Sequence, residues 1–260
     1  AEGPLKFQDR PLNGFSLPRG VSGEKLLQEY GNVYDSKLLR VLRVNDGEVT
    51  LGRTTFFKSL CTNRALATSA RSWELRKKLQ PGPKLKHLET SRLSNHLGVN
   101  VMVELVDGSY PFIHRSPELS IGGGKLGLAV SGSLKGKYAL EGSLLKPFGV
   151  GDAIAAEIKD ETGYSFPSGK FAESTIKALF FDLEEGGKPN LYAEIFLPVD
   201  REAFQKHFEE NRLDGLGSDG KELVFFSRSS LLDARLKDGL LEVNGKVYPI
   251  ATTAAESVEI

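Results

Sequence analysis

The chain has 260 residues, 40% hydrophobic and 26% charged, which is enough for one large core or two modest ones. Its 34 basic and 34 acidic residues balance, so no overall field favours nucleic acid or a membrane as a partner. One cysteine, Cys61, excludes an internal disulfide, and no run approaches the roughly 20 apolar residues of a membrane span, so we expect a cytoplasmic protein.

The first third of the chain predicts a hairpin followed by short helices. Residues 38–53 read as two strands around a turn at 45–47, Asn-Asp-Gly. Thr54 is predicted to cap a short helix that reaches Leu60. Two further helices are predicted over Ala70–Leu79 and Leu85–Asn95. We expect residues 1–97 to form an N-terminal accessory subdomain.

From residue 98 onward, strands alternate with few helices. Strands are predicted over Val99–Val106, Tyr110–His114, Leu126–Val130, Ile176–Leu183, Leu191–Val199 and Leu223–Ser227. Helices are predicted to begin after Asp152 and Asp200 and to cover Ser229–Lys237. This order predicts a second domain over residues 98–260, with a mixed sheet and helices on its faces, in the α/β or α+β class.

Three acidic residues near the middle of the chain form the most informative pattern. Glu157, Asp160 and Glu161 stand at spacings of three and four, so a helix places their carboxylates on one face. Their mutual repulsion needs a cation or cationic partners to offset it, and a hard divalent ion such as Mg²⁺ prefers oxygen ligands. A solvated acidic face is the alternative that the spacing leaves open.

The ends of this acidic helix are also predicted by residue type. Asp152 is a good N-cap, and Gly163 suits the left-handed position after the last turn. Ile154 and Ile158 make the other face apolar, which predicts packing against a sheet.

The acidic helix resembles the second half of the sequence box of the Nudix hydrolase family. Glu157 and Glu161 stand where that family has metal-binding acids, and Asp160 replaces the middle glutamate. Ala156 takes the place of the box arginine, and Phe148 takes the place of its first glutamate.

Three further segments carry the resemblance. Phe112 to Ser116 resembles the Nudix strand that ends in arginine and serine, and Leu128 to Ser133 resembles the strand and glycine turn before the box. Val49 to Asn63 is similar to the pre-domain of the Nudix UDP-glucose pyrophosphatase group, whose degenerate box also lacks the arginine. The resemblance covers roughly residues 40–250.

The resemblance implies a mixed sheet sandwiched between helices and an enzyme that hydrolyses a nucleoside diphosphate linked to a further group. Mg²⁺ is the expected cofactor, with Mn²⁺ as the alternative. A UDP-sugar such as UDP-glucose is the expected substrate, giving UMP and a sugar 1-phosphate. Glu157, Asp160 and Glu161 are then the expected metal ligands and catalytic residues.

Residues outside the box are expected to bind the substrate. Arg115 is expected to meet a phosphate, because its planar fork matches phosphate oxygens, although a surface arginine at a strand end is the alternative. Thr54, Phe57, Thr62 and Asn63 are expected to line the nucleoside pocket; a helix cap and a packed aromatic ring are the alternatives for the first two.

Glu194, on a predicted strand, is either an added metal ligand or base, or an acid that faces solvent.

The lost arginine and first glutamate leave a second interpretation open, a non-catalytic Nudix-fold module that binds nucleotide as a scaffold or sensor. RNA processing is disfavoured by the net charge of zero, because proteins bind phosphate-rich polymers through cationic surfaces. We expect a small nucleotide as the ligand, neither nucleic acid nor membrane as a partner, and a monomer or homodimer.

Overall fold

The computed structural model describes residues 5–8, 22–28, 35–69, 72–82, 84–117, 123–171, 175–211 and 220–259. The helices are α1 Gly23–Gln28, α2 Phe56–Ser59, α3 Ala65–Thr68, α4 Ser72–Leu79, α5 Gly136–Ala139, α6 Gly149–Thr162, α7 Arg201–Asn211, α8 Arg228–Leu232 and α9 Thr252–Glu259. A π-helical turn covers Leu60–Arg64, and a 3₁₀ turn covers Leu88–Thr90. None of the helices in these ranges is long and apolar enough to cross a membrane.

The strands are β1 Leu5–Phe7, β2 Lys37–Asn45, β3 Glu48–Thr55, β4 Gly98–Leu105, β5 Ser109–Arg115, β6 Leu126–Leu128, β7 Val130–Ser133, β8 Leu140–Glu141, β9 Leu144–Leu145, β10 Ile176–Asp182, β11 Lys188–Leu197, β12 Gly220–Ser227, β13 Arg235–Lys237, β14 Leu240–Val243 and β15 Lys246–Pro249. They form sheets in the orders β1-β3-β2, β10-β11-β4-β7, β12-β5-β6 and β13-β14-β15, and the pair β8-β9. The predicted mixed α+β class is confirmed.

The chain separates into two compact units, each built from several segments. Unit 1 contains residues up to Gly98 together with Ser133–Ala153 and Phe180–Asn190. Unit 2 contains Val99–Gly132, Ile154–Leu179 and Leu191–Ile260. The division into two continuous domains at residue 97 stays a prediction.

The predicted hairpin opens the core of unit 1. β2 pairs antiparallel with β3 from Lys37↔Thr55 to Asn45↔Glu48, and Asp46 and Gly47 take the left-handed backbone that a two-residue turn needs. Thr54 is part of β3, so its predicted capping role is wrong. Thr55 caps α2 instead, because its side chain accepts the N–H of Lys58.

An apolar cluster packs beneath the helices of unit 1. Its buried members are Cys61, Ala65, Leu66, Leu75, Leu79 and Leu93. Cys61 is 5% exposed, its Sγ lies 3.9 Å from the carbonyl oxygen of Gly23, and burial together with Asp35 raises its pKa to about 11.

The helix predicted over Leu85–Asn95 is wrong beyond its 3₁₀ turn. Val41 donates its N–H to the carbonyl of Asn95, and Leu97 donates to the carbonyl of Leu39, both at 2.9–3.0 Å. Asn95 has φ +47, which a helix does not allow. Pairing with β2 therefore overrides the local helical preference of this segment.

Unit 2 contains the predicted strands on either side of Asp107 and Gly108, but they do not form a hairpin. β4 belongs to the sheet with β11 and β7, whereas β5 lies between β12 and β6. Phe112 on β5 is fully buried and meets Phe226 edge-on, with ring centroids 5.2 Å apart. Asp200 caps α7 as predicted, by accepting the N–H of Ala203 at 2.8 Å.

Three predicted boundaries differ from the structure. The strand expected over 126–130 is split into β6 and β7, and the helix expected over 229–237 ends at Leu232, after which β13 pairs with β14. Asp152 is not the N-cap of α6, because its own N–H already donates to the carbonyl of Phe148 within the first turn.

Gly186 is a strict requirement of unit 1. Its φ is +67, and a Cβ atom there would collide with the side chain of Leu66. We predict that Gly186→Ala lowers the free energy of unfolding by about 2–3 kcal/mol, from backbone strain and overpacking. Gly47→Ala, with φ +78 but open space around the site, should cost only about 1 kcal/mol. Urea denaturation of both variants measures the difference, and equal losses would contradict the packing argument.

Candidate active site

The three predicted acids on α6 differ in their exposure to solvent. Glu157 is 4% exposed, and Asp160 and Glu161 are half-buried, whereas Lys159 between them is exposed. A solvated acidic face would leave all three carboxylates in water. The burial of Glu157 therefore disfavours the solvated-face alternative.

The C-terminal end of α6 is firmly closed. Gly163 has φ +81 and donates its N–H to the carbonyl of Lys159 at 2.9 Å, as the left-handed cap predicted from the sequence requires. Thr162 donates its hydroxyl to the carbonyl of Ile158 at 2.6 Å. Tyr164 then stacks on Phe204, with ring centroids 5.7 Å apart. These contacts fix the turn that carries Glu161.

The carboxylate of Glu157 occupies the space that a side chain at position 132 would need. Gly132 lies in β7, and a Cβ atom built on it would collide with Glu157 Oε2. The structure thus brings together two segments of the family resemblance, the strand with its glycine and the acidic helix. Sequence spacing gave no sign of this contact, because it joins residues 25 positions apart.

The acids do not form a ready-made metal cage. Within the described ranges, no group of three or more His, Cys, Asp or Glu side chains is placed to hold a metal ion. Mg²⁺, however, is commonly held by one or two carboxylates, waters and substrate phosphates rather than by protein alone. Hard carboxylate oxygens on one helix face suit such an ion chemically, and the metal set Glu157, Asp160 and Glu161 stays a prediction.

Arg115 ends β5 and is half-buried. Its Cδ lies 3.2 Å from where a Cβ of Gly127 would be, so the arginine stem runs across β6 where a glycine leaves room. Its backbone is fixed on both sides, by an N–H···O bond of 2.9 Å to Lys125 and one of 3.1 Å from Gly124. Its phosphate-binding role stays a prediction.

The predicted nucleoside-binding residues belong to unit 1, where three of them are buried in a polar network. Thr54 shares a 2.7 Å hydrogen bond with Ser94. Thr62 accepts the N–H of Ser94 at 3.0 Å. Phe57 is half-buried, and its N–H donates to Asp35 at 2.9 Å.

Asn63 joins two loops within the same network. Its amide donates to the carbonyl of Glu185 at 2.8 Å and accepts the N–H of Asn95 at 2.7 Å. Thr54, Thr62 and Asn63 are at most 3% exposed. Their polar groups therefore hold the protein together, and a role in nucleoside binding stays a prediction.

The network also contains charged residues that the sequence did not single out. Lys188 Nζ lies 3.0 Å from Glu185 Oε2, and both side chains are almost fully buried. His96 is fully buried beside Ser59, with Nδ1 and Oγ 2.6 Å apart. Burial, followed by the charges of Lys188 and Arg64, holds the pKa of His96 well below its ordinary value. Only tertiary structure could reveal this cluster, because its members come from segments far apart in the sequence.

A polar cavity in unit 2 has a volume of about 450 Å³ and is lined in part by Glu194. Glu194 is exposed, and Tyr192 donates its hydroxyl to Glu194 Oε1 at 2.9 Å. Glu104 on β4 and Tyr110 on β5 also line it, and burial followed by Glu104 raises the pKa of Tyr110. The i, i+2 spacing of Tyr192 and Glu194 was the available signal for this shared strand face.

Comparison with known proteins gives a limited result. No protein-family model matches the chain, and no curated protein matches it. Among solved structures, a MutT protein from Methanosarcina mazei Go1 is similar at 16% identity and a TM-score of 0.39, over 63% of this chain and 90% of that one. A protein from Deinococcus radiodurans is similar at 15% identity and a TM-score of 0.41, over 86% and 97%.

A MutT/nudix family protein from Enterococcus faecalis is similar at 12% identity and a TM-score of 0.36, over 72% of this chain and 66% of that one. Because the identities and TM-scores are all low, no inference about family or activity rests on these likenesses.

The neutral state of His96 predicts a specific acid sensitivity. The unfolded chain binds a proton at His96 near pH 6.5, whereas the folded chain does not, so the contribution of His96 to the free energy of unfolding is constant above that pH and falls below it. From pH 7.5 to 5.5 this one group should cost about 1.4 kcal/mol. Urea denaturation at both pH values should show that His96→Gln removes this part of the loss, while the exposed His87→Gln retains it. The same loss in both variants would contradict the assignment.

Proposed function

We propose that the protein is a Nudix-type pyrophosphohydrolase that cleaves a nucleoside diphosphate linked to a further group. The observation that carries the proposal is the 4%-exposed carboxylate of Glu157. It lies against Gly132, on the same helix face as Asp160 and Glu161. A carboxylate held out of water needs its charge offset, and a divalent ion with a diphosphate ligand would add to the contacts that Glu157 makes within the protein.

Hydrolysis of a diphosphate requires catalysis, because its negatively charged oxygens repel a nucleophile. In this proposal Glu157 and Glu161 would hold a Mg²⁺ ion, and Asp160 would be the third acid of the set. The ion would supply neutralisation of those oxygens and activation of a water. One of the three accepts the proton of the attacking water.

In this proposal, a steric contact takes over the role of the missing box arginine in orienting Glu157. Ala156 offers no ion pair to orient Glu157. The close approach of β7 confines the carboxylate, because Gly132 leaves space for it and a Cβ atom at that position would collide with it. Steric confinement of this kind limits the rotamers of Glu157 as an ion pair would.

The proposed substrate is a UDP-sugar such as UDP-glucose, and the products are UMP and a sugar 1-phosphate. The support is the resemblance of Val49 to Asn63 to the pre-domain of the UDP-glucose pyrophosphatase group. Arg115 is proposed to bind a phosphate, because a guanidinium pairs with two phosphate oxygens at once.

A non-catalytic nucleotide-binding module is the second candidate. Two observations favour it. Phe148, which replaces the first glutamate of the box, is 55% exposed, and the described residues contain no preformed three-ligand group. Such a module would bind nucleotide equally well with and without Mg²⁺.

Turnover of nucleotide sugars tests the proposed hydrolysis. With Mg²⁺ and a panel of nucleotide sugars, the protein should release a nucleoside monophosphate and a sugar phosphate, measured by chromatography. Glu161→Gln should lower kcat by at least about 100-fold, because an amide is a poor ligand for a hard cation. Glu202→Gln, an exposed acid on α7, serves as the matched control. No product from any nucleotide sugar, or unchanged turnover in Glu161→Gln, would sink the proposal.

A substitution at Gly132 tests the proposed confinement of Glu157. Gly132→Ala should push the carboxylate of Glu157 from its position and lower kcat by about 10- to 100-fold, because small misplacements of catalytic groups are costly. Gly108→Ala, at a turn with φ +72 and open space, tests whether any strained glycine in unit 2 has the same effect. Thermal unfolding of both variants separates misfolding from misplacement. Equal activity losses in the two would argue against confinement of Glu157.

A further inference from the structure

A cavity in unit 1 concentrates positive charge that the α6 acids do not use. Its volume is about 410 Å³, and its lining includes Lys37, Arg53, Lys58 and Lys137. No Asp or Glu is among the described residues that line it. The whole chain has a formal net charge of zero, so four cations around one cavity are a strong local asymmetry.

Two of the cations stand on paired strands, and the other two stand on short helices. Lys37 begins β2 opposite Thr55, and Arg53 lies on β3 opposite Leu39. Lys58 is on α2 and Lys137 is on α5. A bridge between Leu38 and Lys135 joins β2 to the segment that leads into α5.

Most of these charges are not neutralised by acidic neighbours. In the described part of the chain, neither Lys37 nor Lys58 forms an ion pair with a carboxylate, and Lys137 Nζ lies over the ring of Tyr138 at 4.7 Å. Arg53 donates to the carbonyl of Gly142 and, at 3.4 Å, to Ser143 Oγ. These two oxygens orient the guanidinium, which makes a further contact within the protein.

The acids nearest in sequence to the lining residues do not line the cavity themselves. Glu141 lies between the lining residues Leu140 and Gly142, and Asp35, two residues before Lys37, accepts the N–H of Phe57 at 2.9 Å. Like charges gathered in this way repel each other, and an anion relieves the repulsion. Lysine and arginine are the side chains that proteins use for phosphate, and the volume falls in the usual range for small-molecule sites.

We propose that this cavity binds a small, multiply charged phosphate compound, of the diphosphate class, without a metal ion. Lys58 and Lys137 supply point charges, and Arg53 supplies a directed donor. The site is additional to the proposed hydrolytic one, because the acids of α6 do not line it.

The test is isothermal titration calorimetry of the full chain in EDTA, with inorganic diphosphate as the probe. We expect one diphosphate per chain, an affinity that falls as salt is raised, and weaker binding of inorganic phosphate. The double variant Lys58→Gln, Lys137→Gln should weaken binding by at least about tenfold, since partly exposed ion pairs add modest energies each. Lys206→Gln, an exposed lysine on α7, should bind as the unchanged protein does.

Several outcomes would overturn this inference. They are no binding of diphosphate in EDTA, equal affinity for phosphate and diphosphate, or an unchanged affinity in a double variant whose thermal unfolding is normal. Binding that needs Mg²⁺ and is lost in Glu161→Gln would assign the ligand to α6 instead. A protein that hydrolyses no nucleotide sugar but binds diphosphate in EDTA would contradict the proposed function and leave this inference standing.

Discussion

The candidate site depends on where the fold holds the buried carboxylate of Glu157, because a carboxylate removed from water must have its charge offset. The α6 backbone fixes where the side chain starts, and the apolar residues Ile154 and Ile158, both fully buried, fix which way the helix faces. Gly132 then supplies the room for the carboxylate. Gly132→Ala would reduce the space available to the carboxylate of Glu157, and Glu157→Gln would remove its charge.

The same requirement organises the interior of unit 1. Asn63, Glu185 and Lys188 are almost inaccessible to water, so each polar group must find its partner within the protein. The π-helical turn over Leu60–Arg64 places Thr62 and Asn63 where they meet the loops at 94–95 and 185. Loss of one partner would leave an uncompensated buried charge or donor, which is costlier than losing an exposed contact.

Local chemistry allowed the hairpin at Asp46-Gly47 and the end of α6 at Gly163 to be predicted, because each depends on a left-handed glycine beside a clear hydrophobic pattern. The helix expected over Leu85–Asn95 failed because pairing with β2 is a tertiary effect. The shared face of the three acids followed from spacing alone. The approach of Gly132 to Glu157 and the gathering of four cations did not, since both join distant segments.

The reactivity of the buried Cys61 thiol reports local opening of the structure around it. With a pKa of about 11, only about one thiol in a thousand is ionised at pH 8, and burial keeps alkylating reagents away from the rest. The chain has no other cysteine. The rate at which a maleimide or iodoacetamide reacts with Cys61 therefore reports how often the apolar cluster that contains Leu66 and Leu75 opens. That measurement needs no engineered label.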